Sequence, residues 1–155
     1  MKPAVQRLSL GLAALWWGGL SAVSFVVVPT LFAQLGAPVA GPVAANLFSL
    51  QAWAGLLIGL ALLLLLRSAR GGALQSLVDS AADAERMAVM QRVVGTMGLV
   101  LAAMILALLQ EFGVAQNIIT ARASGGNLRL WHGVGSAMVL GQWLCAGAVL
   151  WRLSR

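Results

Sequence analysis

Residues 53–66 read Trp-Ala-Gly-Leu-Leu-Ile-Gly-Leu-Ala-Leu-Leu-Leu-Leu-Leu, and no charged side chain occurs anywhere across 43–66. About 20 apolar residues in helical form cross a bilayer core, so this stretch reads as a membrane span. Working outward, three more stretches pass the same count: 8–32, 93–112 and 130–153. Pro42 falls at the expected first turn of the second span, where its missing N–H costs nothing. The fold class that follows is all-α integral membrane, a four-helix transmembrane bundle forming one domain over 1–155. Lys2 and Arg7 before the first apolar run resemble a signal peptide. That run is about twice the usual length and no small-x-small site closes it, so a retained helix is expected.

The whole composition agrees. Of 155 residues 61% are apolar and 9% charged, with a mean hydropathy of +0.93, whereas about a quarter of a soluble domain is charged. Soluble enzymes, transcription factors and secreted disulfide scaffolds are thereby excluded. The net charge of +6 comes without a basic cluster, so no nucleic-acid partner is implied. The chain has a single cysteine, Cys145, and a single histidine, His132. One copy therefore makes neither a disulfide framework nor a multi-His or Cys-rich metal site.

Charge sets the expected orientation. Eight of the ten basic residues (Lys2, Arg7, Arg67, Arg70, Arg86, Arg92, Arg152 and Arg155) fall on one side of the four spans, and only Arg122 and Arg129 on the other. The positive-inside rule then puts both termini and the middle loop in the cytoplasm. Between spans two and three, residues 73–90 alternate apolar side chains with Asp79, Asp83, Glu85 and Arg86. They are expected to form an amphipathic helix on the cytoplasmic surface.

Small residues at four-residue spacing predict how the spans pack. Ala14, Gly18 and Ala22 mark the first; Gly55 and Gly59 the second; Gly133, Ala137, Gly141 and Cys145 the fourth. The same ladders suit a homodimer or another membrane protein as partner, beside the bilayer itself. Trp131 and Trp151 mark the two interfaces of span four. Trp16, Trp17, Trp53 and Trp143 lie deeper, and some of their indole N–H groups need partners from other helices.

Polar groups in a membrane are costly and therefore functional candidates. With the expected topology they collect toward the outer half: Pro29 and Thr30 on span one, Asn46 and Gln51 on span two, Gln110 and Glu111 at the end of span three, and His132 and Ser136 on span four. Glu111 and His132 are the titratable pair, able to relay a proton or hold a cation if they meet; otherwise each serves local packing. Met90, Met97 and Met104 recur every seven residues. Thioethers suit Cu(I), making Met97, Met104 and His132 weak metal candidates, although such a stripe more often packs a core. No nucleotide loop, nucleophile elbow or HExxH occurs, and no cofactor is expected.

Several stretches resemble a bacterial membrane family. They are residues 17–25, Val28-Pro29-Thr30-Leu31-Phe32, Ala40-Gly41, Leu47-Phe48, and Leu130-Trp131-His132-Gly133 with Ser136. The family is domain of unknown function 4149, similar to eukaryotic transmembrane protein 205. The resemblance implies four spans without an assigned reaction, and the eukaryotic relative's link to platinum-drug resistance implies metal or drug handling. It marks Pro29, Thr30, Phe32, Gly41, Phe48, His132, Gly133 and Ser136. At 117–122 the chain departs from the longer, more acidic segment the family would have. A more distant resemblance is to the copper resistance protein D group and the bacterial membrane protoporphyrinogen oxidase, which look to need more than one intramembrane histidine.

The expected function is a non-enzymatic inner-membrane protein that binds or passes a small species in the outer half of the bundle. The alternatives are an assembly subunit of a membrane complex, and a copper-resistance-D-like or haem-linked protein.

Overall fold

A computed structural model of the chain describes residues 3–77 and 83–155. Helix α1 spans Pro3–Ser21 and continues through a π-helical segment, Ala22–Val27, into α2, Val28–Leu77. Helix α3 spans Asp83–Leu108 and runs through a second π-helical segment, Leu109–Val114, into α4, Ala115–Ser124. A short turn leads to α5, Leu128–Ser154. No strand occurs among the described residues.

Three stretches are long and apolar enough to cross a membrane: Pro3–Ser68, Met87–Ile118 and Leu128–Ser154. The first is continuous only in its hydrogen bonding. Gly36, at φ 68° and ψ 163°, leaves the helical region, a conformation glycine adopts without steric cost. The chain reverses there. Trp16 packs on Gly55 and Gly19 faces Gln51, so the arms before and after Gly36 run antiparallel. Between the expected spans 8–32 and 43–66 the reversal thus rests on a single non-helical residue. Pro42 lies inside the second arm, deeper than the first turn expected for it, because that arm restarts directly after Gly36.

The third span also differs from expectation. The span expected over 93–112 stops short of the observed helix, which persists to Ser124. The polar side chains there bond back into their own helix: Asn117 Nδ2 donates to the Gly113 carbonyl at 2.9 Å and Thr120 Oγ1 to that of Gln116 at 3.0 Å. Asn127 then starts α5, its Oδ1 accepting from the Leu130 N–H at 3.0 Å, a standard N-cap. The surface helix expected over 73–90 lies, for its central turn and most of its side chains, outside the described residues.

Helix α1 packs against α2 and α5, and α3 against α2 and α5. The core is a column of Ala13, Trp16, Leu20, Leu62, Leu66, Val100, Ala103, Ala146 and Val149. Outside it, Leu15, Leu50, Leu57 and Leu64 are each more than half exposed. Only 28%, 22% and 22% of the residues in the most apolar windows of the three stretches are buried. A molecule with so apolar an exterior is a membrane helical bundle, its outer faces solvated by lipid.

Candidate functional site

The second π-helical segment carries the polar centre of the molecule. Gln110 and Glu111 are consecutive, so their side chains point in different directions and reach two different helices. Ser49 Oγ, on α2, donates to Glu111 Oε1 at 2.7 Å. Gln142 Nε2, on α5, donates to Gln110 Oε1 at 2.7 Å. Single-turn π segments inside α-helices are frequent at functional sites. This one ties α2, α3 and α5 together by side-chain hydrogen bonds.

The carboxyl stands inside a continuing helix. Glu111 was expected at the end of a span, but the helix runs on through the π-helical segment into α4, which ends at Ser124. Glu111 is half-buried, and a carboxyl between packed helices is costly unless partnered. Gln142 is 3% exposed and lies near the middle of α5. The polar seam thus reaches closer to mid-height than an outer-end cluster would.

The first π-helical segment adjoins a second polar contact. Trp143 Nε1 donates to Ser21 Oγ at 2.8 Å, and Ser21 Oγ donates in turn to the Trp17 carbonyl at 2.8 Å. Trp143 also meets Trp17 at 5.5 Å between ring centroids and Phe25 edge-on at 5.8 Å. The indole N–H groups of Trp16 and Trp17 are buried without a partner, each against a glycine, Gly55 and Gly147 respectively. Of the deep tryptophans expected to find partners, Trp143 does so and these two do not.

The remaining candidates are placed as follows. Pro29, Thr30, Ser136 and His132 are exposed, and Thr30 Oγ1 donates to the Val26 carbonyl at 2.6 Å. His132 makes no hydrogen bond or ion pair among the described residues, and the partner of Glu111 is Ser49. Gln51 is half-buried against Gly19. Met97 packs against the core, and Met104 lies over Gly59, where a Cβ would fall 2.8 Å from its Sδ. No group of three or more His, Cys, Asp or Glu side chains suited to a metal occurs among the described residues.

Among the glycines, a Cβ would fall 2.8 Å from Trp16 Nε1 at Gly55 and 2.9 Å from Leu106 at Gly141. At Gly18 and Gly133 it would meet nothing within 4 Å. Gly95 and Gly147, which the four-residue ladders left out, are close contacts with Arg152 and Trp17. Ser49, Ser21 and Gln142 were also missed. Serine is common in membrane helices, and nothing in one sequence tells which serine faces a neighbour.

No curated protein and no solved structure matches the chain. One family does, over residues 11–127. That span includes Ser49, Gln110 and Glu111 and stops before α5, which holds Gln142 and His132. With some three-quarters of its length matched, the chain belongs to the family described as Domain of unknown function (DUF4149).

Proposed function

We propose that this is a four-span inner-membrane protein with both termini in the cytoplasm, and that it binds or passes a small cation at a seam centred on Glu111. The observation that carries the reading is the 2.7 Å hydrogen bond that ties the half-buried Glu111 carboxyl to Ser49 on α2. An ionisable residue held between the helices of a membrane bundle is a functional candidate by default. The carboxyl and hydroxyl are hard-oxygen donors, and the amide oxygens of the Gln110–Gln142 pair extend the polar seam toward α5. Such donors suit Na⁺, K⁺, Mg²⁺ or Ca²⁺ better than Cu(I). The four spans come from dividing Pro3–Ser68 at Gly36, and the orientation from the eight basic residues on one side.

The test is thermal unfolding of the detergent-purified protein in the chlorides of these cations at constant ionic strength. One cation is expected to raise the midpoint, by about 2.7 kcal/mol of added stability at a hundred times its Kd. Glu111→Gln should abolish the rise, and His132→Ala should leave it intact. An equal response from wild type and Glu111→Gln would sink the reading. Metal analysis and an absorption spectrum of the same sample decide the copper and haem alternatives.

A second reading, an assembly subunit, is favoured by Gly11, Ala14 and Gly18. All three are exposed on one face of α1, with open space beyond both glycines. Close approach of another helix needs such a face. Cysteine cross-linking from Gly18→Cys in native membranes tests it.

A further inference from the structure

The end of the bundle opposite the Glu111 seam carries an arginine placed against a helix backbone. A Cβ built on Gly95 of α3 would fall 2.6 Å from Arg152 Nη1, so the α5 arginine lies flat across α3 in the space that side chain would fill. Arg92 stands one turn earlier on α3 and is exposed; its carbonyl accepts from Thr96 Oγ1 at 2.8 Å. Residues three apart on a helix share a surface, so Arg92 and the Arg152–Gly95 contact lie at the same end of the α3–α5 seam. One turn after Arg152, Arg155 lies over the Trp151 ring at 4.1 Å from its centroid. Neither Arg92 nor Arg152 has an ion pair among the described residues.

A helix C-terminus favours nearby cations, and this accounts for basic residues at the end of α5. It does not account for Arg152 turning sideways onto α3, one turn from Arg92. Arginines at one end of a helix seam without an acid want a counter-charge, and a planar fork of N–H donors matches phosphate oxygens bidentately. Trp151 is 60% exposed, and an outward indole near a span end sits at headgroup level.

We infer that Arg92 and Arg152, seated at the α3–α5 seam by the absence of a side chain at Gly95, bind the phosphodiester of an anionic phospholipid. Arg155, held by Trp151, supplies a third cation from the same helix end. The site is independent of the cation seam and rests only on the chain being a membrane bundle. It differs from a diffuse attraction between basic loops and acidic lipid because it depends on a glycine that carries no charge.

The experiment is thermal unfolding in a neutral detergent, with added phosphatidylglycerol, phosphatidylcholine or inorganic phosphate. Phosphatidylglycerol is expected to raise the wild-type midpoint by about 4 °C, with little change from the other two. Gly95→Ala keeps every charge but displaces Arg152, and should cut that rise at least by half. Arg92→Gln and Arg152→Gln, both at exposed positions, should do the same and cover the case in which Gly95→Ala fails to fold. Gly98→Ala, where a Cβ meets nothing within 4 Å, should leave the rise intact. Equal rises in wild type, Gly95→Ala and Arg92→Gln would overturn the site in favour of diffuse charge. An equal rise with inorganic phosphate would overturn the lipid assignment.

Discussion

Ser49 and Glu111 are separated by 62 residues of chain, yet the serine hydroxyl donates to the glutamate carboxyl at 2.7 Å. The bond joins α2 to the π-helical segment after α3, far from either helix end. Groups in direct contact deviate from additivity, and a double-mutant cycle isolates the term that links them. For Ser49→Ala and Glu111→Gln the coupling should be about 0.5–2 kcal/mol in detergent unfolding. Additive effects would show that the two side chains do not act as a pair.

Gln110 and Gln142 predict an asymmetry. Gln142→Leu alone leaves the Gln110 carbonyl oxygen without the donor it has now, which should cost about 1–3 kcal/mol. Replacing both glutamines by leucine removes the orphaned group along with its partner. The double variant should therefore be more stable than either single one, as read by unfolding midpoints.

The glycines should separate by what lies beyond them. Gly55→Ala pushes a methyl into the Trp16 indole at 2.8 Å, a rigid group filling the core, and should destabilise by about 1–3 kcal/mol. Gly59→Ala meets Met104 at the same distance, but a thioether chain has rotamers to spare, so its cost should be smaller. Gly18→Ala meets nothing and should be neutral or stabilising by about 0.5–1 kcal/mol. The order Gly55, Gly59, Gly18 is what a thermal series checks.

Ser21→Ala should cost about 1 kcal/mol, because it strips the half-buried Trp143 indole N–H of its acceptor. Trp143→Phe in the same background should recover part of that loss by removing the orphaned donor. If Ser21→Ala unfolds like wild type, the hydrogen bond contributes nothing net.

Much of the architecture was legible in the hydropathy of the chain, since an uninterrupted run such as 43–66 admits few structures besides a helix in lipid. The ends of helices were read less well. Gly36 was one of several turn-forming residues between 33 and 42, and only its dihedral angles distinguish it from Pro38, Gly41 and Pro42. The third span read as ending at 112 because composition does not register polar side chains that bond back to their own helix, as Asn117 and Thr120 do. In the candidate site, Glu111 and Gln110 were legible as costly polar residues. Their partners were not, because a sequence fixes which residues share a face and not how far each helix is turned about its own axis. That rotation brings Ser49 and Gln142 inward and leaves His132 exposed.

The π-helical turn at Leu109–Val114 also bears on length variation along the chain. A π turn arises where an α-helix accommodates one extra residue, and each residue advances an α-helix by about 100°. Deleting one residue here would heal the turn into ordinary α-helix without touching a single hydrophobic position. The helix beyond would keep its faces, since the wide turn had absorbed that angle, but within the turn Gln110 and Glu111 would no longer face Gln142 and Ser49 together. At this point in the chain, a gap of one residue would do more to the polar seam than most substitutions.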